Sequence, residues 1–93
     1  MQIQVTQADI DQGREYMEMN RQRCSYCPVA LAAARALKED VLATFLFIRR
    51  IRDNERFSLP EAARDWICAF DGGNKVMKPL SFELDLDNPI KSN

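Results

Sequence analysis

The chain has 93 residues, of which 46% are hydrophobic and 29% are charged, and its net charge at pH 7 is −1. This composition is typical of one small globular domain, excludes a disordered chain, and gives no global field to attract nucleic acid or anionic lipid. The chain has no histidine, so it lacks the usual general base at neutral pH and the usual transition-metal ligand.

The sequence lacks the features that mark export or membrane insertion. The N-terminal residues show no basic start, apolar core and small-residue cleavage site, and the longest apolar run, residues 41–48, is too short to span a bilayer. Three cysteines are an odd number, which fits a reducing compartment better than a disulfide scaffold. We therefore expect a cytoplasmic protein without a membrane partner.

The N-terminal residues predict a strand followed by a short helix. Apolar and polar side chains alternate over residues 2–5, which is typical of a strand. Thr6, with an acidic residue three positions on at Asp9, comes close to a capping box and predicts a helix start. We expect this helix to end just before Gly13, because glycine weakens a helix in its middle. Residues 15–23 are charged without a clear period, and we expect an irregular stretch that can carry binding.

A second helix is predicted over residues 28–38. Pro28 suits the first helical turn, where its missing N–H is not needed, and Cys27 or Tyr26 then lies at the N-cap. Most of the following side chains are small and apolar. We expect a buried helix whose N-terminus opens to the surface beside Cys24 and Cys27.

The middle of the chain predicts a central strand and a hairpin. Residues 41–48 are apolar on both faces of a strand, as expected for a strand covered on both sides, although a short buried helix has the same pattern. Asp53 and Asn54 lie between two short extended segments, which favours a two-residue hairpin turn.

The C-terminal third predicts a helix and a strand. Ser58 and Glu61 have capping-box spacing, with Pro60 inside the first turn. An amphipathic stripe with helical spacing follows, formed by Leu59, Ala62, Ala63, Trp66, Ile67 and Phe70. Two glycines after Asp71 are expected to end the helix. Residues 80–87 alternate apolar with polar side chains and predict a strand with one buried face.

The element order β-α-α-β-β-α-β predicts an α+β fold. We expect a single domain over residues 1–93, with a three- or four-stranded, mainly antiparallel sheet, helices on one face and a polar tail at residues 88–93. Two helices would leave one apolar face of the central strand uncovered. A second copy of the chain is the simplest cover, so we expect a homo-oligomer, with a dimer as its simplest form.

Two cysteines spaced as Cys24-x-x-Cys27 suggest thiol chemistry. A thiolate at Cys27, just before Pro28, would be stabilised by free backbone amides and the helix dipole, as in redox-active pairs. A zinc site would need four ligands, and Cys68 is the sole remaining cysteine. The simpler interpretation is that Cys27 and Cys68 are small buried apolar residues. We therefore expect no metal and no cofactor.

Arginines give two further candidates for binding. Arg21 and Arg23 precede the helix start at Pro28 and could hold a small anion there, with Tyr26 stacking on a nucleotide base. A second group surrounds the predicted hairpin and consists of Arg49, Arg50, Arg52 and Arg56. For this group, cross-strand pairing with the acidic residues Glu83, Asp85 and Asp87 is a simpler interpretation than contact with nucleic acid.

The chain resembles a group of small phage and bacterial proteins without an assigned activity. The shared outline covers most of the chain and consists of Ile10-Asp-x-Gly13, Cys27-Pro-Val-Ala-Leu-Ala32, Leu59-Pro60, Phe70-Asp-x-Gly73 and Pro79-x-x-Phe82. The resemblance implies a small α+β protein, of a type found among phage accessory genes.

Three hypotheses about function follow. Because no catalytic set has a recognisable spacing, the first is a non-enzymatic phage-type accessory protein. It would inhibit a host defence protein by occupying it in the host cytoplasm. The second is a small-ligand protein that binds a nucleotide or another anion through Arg21, Arg23, Tyr26 and Cys27. The third is a thiol-redox protein that uses Cys24 and Cys27.

Overall fold

The computed structural model describes residues 1–19, 27–74 and 76–90. Within these residues the strands are β1 (Gln2–Val5), β2 (Val41–Ala43), β3 (Phe47–Arg50), β4 (Arg56–Ser58) and β5 (Leu80–Glu83). The helices are α1 (Gln7–Glu18), α2 (Pro28–Leu37) and α3 (Glu61–Asp71). The predicted α+β class is confirmed. In this part of the chain, no helix has the length and apolar character needed to cross a membrane.

The strands of the described residues form two small antiparallel sheets, whereas the sequence predicts one. β1 pairs with β5, so that Gln2 lies opposite Glu83 and Val5 lies opposite Leu80. The other sheet contains three strands in the order β2-β3-β4. Helix α2 packs against β1 and against β2, and therefore joins the two sheets through one core.

A capping box starts α1, as the sequence predicts. The Thr6 hydroxyl accepts the Asp9 N–H at 3.2 Å, and the Asp9 carboxylate accepts the Thr6 N–H at 2.9 Å. Asp9 is also held by Arg35 of α2 through two parallel hydrogen bonds of 2.7 and 2.8 Å. The Asp9 carboxylate therefore caps α1 and also fastens it to α2.

Helix α1 continues to Glu18, so the expectation that it ends just before Gly13 is wrong. Gly13 is buried, and a Cβ atom placed on it would lie 2.6 Å from Pro28 Cδ. The glycine therefore allows α1 and the first turn of α2 to approach closely. Glycine weakens an isolated helix, but here contact with α2 supplies the stability. Of the stretch predicted to be irregular, residues 15–18 are helical and residues 20–23 lie outside the described residues.

Helix α2 has the bounds and the burial that its sequence predicts. It begins at Pro28 and ends at Leu37, and Lys38 closes it in the left-handed conformation with φ of 58°. Ala30, Ala32 and Ala33 are buried, and their small side chains allow the helix to lie close to its neighbours. The expectation that its N-terminus opens to the surface is wrong at Cys27, which is only 6% exposed.

Residues 41–48 form two strands joined by a turn, so the prediction of one continuous central strand is wrong. The Thr44 hydroxyl accepts the N–H groups of Leu46 and Phe47, both at 3.1 Å. This side-chain acceptor gives the backbone an alternative to continued strand pairing, and the chain reverses direction. As a result β2 and β3 are neighbours in one sheet, with Ala43 opposite Ile48.

The predicted hairpin around Asp53 and Asn54 is present with a longer loop. Arg50 N–H donates to the Glu55 carbonyl at 2.8 Å, so four residues rather than two connect the paired positions. Asn54 adopts the left-handed conformation with φ of 60°, which asparagine tolerates better than most residues. At the far edge of this sheet, the Ile90 N–H donates to the Arg56 carbonyl. The predicted polar tail is thus attached to β4 at Ile90, and residues 91–93 lie outside the described residues.

The last helix agrees with the sequence pattern, but the last strand ends at Glu83 instead of extending over residues 80–87, and the predicted cap does not form. Ser58 belongs to β4, and the N-cap of α3 is Pro60, which has no side-chain hydrogen bond. The helix ends at Asp71 before the two glycines, as predicted. In and after β5, Phe82 and Leu84 are buried, as the alternation predicts.

Candidate functional site

The described part of the predicted anion and thiol site is closed. Cys27 is the N-cap of α2, and its sulfur accepts the Ala30 N–H at 3.4 Å. Pro28 and Val29 are also buried, so the start of this helix does not present exposed backbone N–H donors at Cys27. Reactive cysteines are usually partly exposed, and Cys27 instead has the surroundings of a structural residue.

The remaining members of that predicted site, namely Arg21, Arg23, Cys24 and Tyr26, lie outside the described residues. The anion site and the thiol pair therefore stay predictions. Cys68, interpreted from the sequence as buried, is instead exposed on α3, so that interpretation is wrong. In residues 1–19, 27–74 and 76–90, no group of three or more Cys, Asp or Glu side chains is arranged to hold a metal ion.

The β2–β3 turn presents the most prominent apolar side chains of the sheet. Phe45 is 52% exposed and Leu46 is 46% exposed, although both belong to the apolar run that the sequence interpretation buried. The turn at Thr44 removes these two residues from regular strand pairing and places them at the end of the sheet. Large apolar side chains at the tip of a hairpin, next to one another, are a common feature of contact surfaces.

We call the side of the β2–β3–β4 sheet that carries Leu42, Phe47, Arg49, Arg56 and Ser58 the outer face. The strand register brings these residues together. Leu42 lies opposite Arg49, and Arg49 lies opposite Arg56. Phe47 lies opposite Ser58, and the Arg56 guanidinium sits over the Phe47 ring, 5.4 Å from its centroid. All except Ser58 are half-buried. The outer face therefore combines two guanidinium groups with two apolar side chains.

The opposite side of the same sheet belongs to the core. Ile48 lies opposite Phe57, and both are almost completely buried, together with Val41 and Ala43 of β2. Arg50 is at the rim of this side, where its guanidinium lies 5.2 Å from the centroid of the Phe57 ring. One side of the sheet is thus occupied by the core, and the outer face is the opposite side.

Other arginines near the hairpin are neutralised locally. Arg50 donates to both oxygens of the Asp53 carboxylate, and these hydrogen bonds lower the pKa of Asp53 to about 2. Arg52 lies 3.3 Å from a Glu39 oxygen. The predicted pairing with Glu83, Asp85 and Asp87 is therefore wrong for Arg50 and Arg52, whose carboxylate partners are Asp53 and Glu39.

Arg49 differs from these two arginines. Within the described ranges, it lies within ion-pair distance of no carboxylate. Its cross-strand neighbours are an apolar side chain, Leu42, and a like charge, Arg56. Arg49 is therefore a charged group whose local environment does not explain its presence.

A cleft of about 200 Å³ lies between the C-terminal ends of α1 and α3. Its lining consists of Arg14, Met17, Glu18, Phe70, Gly73 and Asn74. Arg14 donates to the Asn74 carbonyl at 3.0 Å and so connects the two ends. The lining contains no thiol or hydroxyl nucleophile, and its two charged side chains have opposite signs. This cleft offers less specific chemistry than the outer face.

The chain matches no protein-family model, no curated protein and no solved structure. The resemblance to small phage and bacterial proteins therefore stays a prediction. What the molecule does has to be inferred from the geometry of its own surface, and the outer face with the β2–β3 turn is the part that sequence reasoning missed.

Proposed function

We propose that this chain is a non-enzymatic protein-binding module. Its contact surface would consist of the outer face and the neighbouring β2–β3 turn. The observation that carries the proposal is the exposure of two large apolar side chains, Phe45 and Leu46, in the turn directly before the half-buried Phe47. Aromatic residues, together with arginine, are the side chains most enriched at the centres of protein interfaces.

The proposed biological setting is that of a phage-type accessory protein, which acts by occupying a host protein. Support for this setting comes from the outline shared with small phage and bacterial proteins and from the lack of a recognisable catalytic set in the sequence. A module of this kind needs a stable scaffold and one good contact surface, without a nucleophile or a metal.

The experiment is an affinity capture from bacterial lysate with three proteins, namely the wild-type chain, a Phe45→Ser/Leu46→Ser variant and a Val76→Ser variant. Val76 is 77% exposed and lies outside the β2–β3–β4 sheet, so it is a matched apolar control. Labelled mass spectrometry then compares the proteins that each variant retains. We expect one protein to be recovered at near-stoichiometric yield by the wild type and by Val76→Ser, and to be lost with the double variant.

Circular dichroism and thermal unfolding establish that the double variant is folded, which is expected because both side chains are exposed. A retained set that does not depend on Phe45 and Leu46 would contradict the proposed surface. Recovery of no protein above background with the wild type would contradict the proposed function itself.

A further inference from the structure

We propose that an extended, uncharged segment of a partner protein binds beside β1 as an added strand. It would pair with the β1 edge, by which we mean the side of β1 that faces away from β5, and would lie in the groove between β1 and α2. This surface is separate from the outer face and the β2–β3 turn, so the inference goes beyond the proposed function and does not depend on it.

The backbone groups of β1 point alternately toward β5 and away from it. The Leu84 N–H donates to the Met1 carbonyl at 2.8 Å, so these two residues form a hydrogen-bonded pair. Such pairs occur at every second position of an antiparallel ladder, and the register therefore turns the backbone groups of Gln2 and Gln4 away from β5. Arg35 confirms this direction, because its side chain donates to the Gln4 carbonyl at 3.0 Å.

Three backbone groups of the β1 edge remain open. They are the N–H and the carbonyl of Gln2 and the N–H of Gln4, none of which has a hydrogen-bond partner among the described residues. Both residues are exposed. An extended backbone presents donors and acceptors at the same spacing and would satisfy all three groups, as in other cases of strand addition. The complement of this edge is therefore a strand.

A groove of about 280 Å³ lies beside this edge. Its lining consists of Gln2, Gln4, Thr6, Ala32, Arg35 and Ala36. The two alanines of α2 are small, so the groove has room for an added backbone and for side chains on one of its faces. Arg35 supplies the one charge of this lining, and its guanidinium is already paired with both oxygens of Asp9. A charged group in the segment would have no partner there, which favours an uncharged segment.

The other sheet edges are protected or covered, and the β1 edge is not. β5 carries Glu83 and follows Pro79, and charges and proline are features that protect an edge strand from further pairing. The Ile90 N–H donates to the backbone of β4. In β2, Val41 and Ala43 are only 5% and 4% exposed, so the backbone there is covered. β1 contains two glutamines, an isoleucine and a valine, and therefore has no such protection.

The size of the β1 edge favours a short segment over a second copy of the chain. β1 has four residues, and at about 3.4 Å per residue its edge is roughly 14 Å long. A standard interface between two globular proteins buries about 800 Å² on each partner, which is far more than two such edges would cover. A segment that also enters the groove makes fuller use of this small surface.

The test uses a display library of random 12-residue peptides, selected for binding to the 93-residue chain. The best peptide, labelled with a fluorophore, is titrated against variants by fluorescence anisotropy. Gln2→Pro removes an N–H that points away from β5, a position at which an edge strand tolerates proline. We expect it to raise the Kd about tenfold or more, because the lost donor and the proline ring both oppose an added strand. Ala36→Gln fills the groove and should have a similar effect.

Two matched controls separate strand addition from other effects. Gln2→Thr changes the same side chain but keeps the N–H. Ser81→Pro removes an N–H that points away from β1 on the opposite edge of the same sheet, since Ser81 lies opposite Gln4 in the register. We expect both controls to change the Kd less than about twofold. Circular dichroism and thermal unfolding establish that every variant is folded.

Amide hydrogen exchange, followed by NMR, tests the backbone pairing directly. In the free chain, the amides of Gln2 and Gln4 should exchange faster than those of Ile3 and Val5, which face β5. Saturation with the peptide should slow exchange at Gln2 and Gln4 about tenfold or more. A peptide that binds through side chains alone would leave these two rates unchanged and would contradict the added strand.

Each remaining outcome overturns the inference and assigns the binding elsewhere. A selection that yields no peptide with a Kd below about 100 μM, or only peptides rich in charged residues, overturns the proposed segment. Loss of binding with Ser81→Pro but not with Gln2→Pro would assign the peptide to β5. Loss with Phe45→Ser/Leu46→Ser alone would assign it to the surface of the proposed function. A concentration-dependent dimer in sedimentation that Gln2→Pro abolishes would assign the β1 edge to a second copy of the chain.

Discussion

Replacement of Gly13 by alanine tests the packing that connects α1 to the start of α2. The added Cβ atom would lie 2.6 Å from Pro28 Cδ, 2.7 Å from Cγ and 3.1 Å from the backbone nitrogen. Carbon atoms that are not bonded prefer separations of about 3.5–4.0 Å. The proline ring is closed on its own backbone and cannot rotate away. The two helices would therefore have to separate locally by about 1 Å to remove this overlap.

Two opposing effects set the size of the change. At an exposed position in a helix, Gly→Ala stabilises by about 1 kcal/mol because alanine has the higher helix propensity. An added methyl group in a well-packed core costs about 1–3 kcal/mol, and a 2.6 Å contact with a rigid ring places this site near the upper end. We therefore expect Gly13→Ala to lower the free energy of unfolding by roughly 1–2 kcal/mol.

Urea unfolding followed by far-UV circular dichroism measures this difference. Gln12→Ala is the neighbouring control, since Gln12 is exposed in the same helix, and its effect should stay within about 0.5 kcal/mol. In a Pro28→Ala background the ring is absent, and Gly13→Ala should become neutral or stabilising. Stabilisation by Gly13→Ala of about 1 kcal/mol with Pro28 intact would refute the proposed role of this glycine.

Two further predictions concern single side chains. Burial raises the pKa of Asp9, but hydrogen bonds from Arg35 and Thr6 outweigh burial, so its pKa in the folded chain lies below the ordinary 3.8. Because the folded pKa is depressed, the stabilisation is present above the unfolded pKa and is lost as pH falls through the folded value. Thermal unfolding below about pH 4 should show this loss, and Asp9→Asn should be less stable at neutral pH with a flatter acid dependence. For the thiols, iodoacetamide should label exposed Cys68 in the folded chain and buried Cys27 only after unfolding. Peptide mass spectrometry locates the label, and rapid native labelling of Cys27 would contradict its described burial.

Several elements could be predicted because local sequence alone specifies them. The alternation in β1, the proline at the start of α2 and the apolar stripe of α3 are each set by residues close in sequence. The end of α1 could not be predicted in this way, since Gly13 is explained by Pro28, which belongs to another element. The cap expected at Ser58 does not form because Ser58 lies in β4, where it pairs with Phe47 of β3.

Prediction of the candidate site depended on one side chain, that of Thr44. The alternation of apolar and polar residues does not reveal that its hydroxyl makes a turn. With residues 41–48 as one strand, both of its faces are apolar, and a second copy of the chain is the simplest cover for one of them. The turn at Thr44 removes that requirement, because β2 and β3 then share one buried side. The expectation of a homodimer thus loses the argument that led to it and stays a prediction.

The position of this turn also determines which residues lie on the outer face. Side chains alternate between the two faces of a strand, so a shift of the register by one residue would exchange Arg49 with its neighbours on the core side. With the turn at Thr44, Ile48 enters the core and Arg49 meets Arg56 on the opposite side. Because the Thr44 hydroxyl makes the turn that ends β2, Phe45 and Leu46 lie outside the strand pairing. The same turn sets the register in which Arg49 lies opposite Arg56. The exposed turn and the register of the outer face both follow from the turn at Thr44, which is why we treat them as one contact surface.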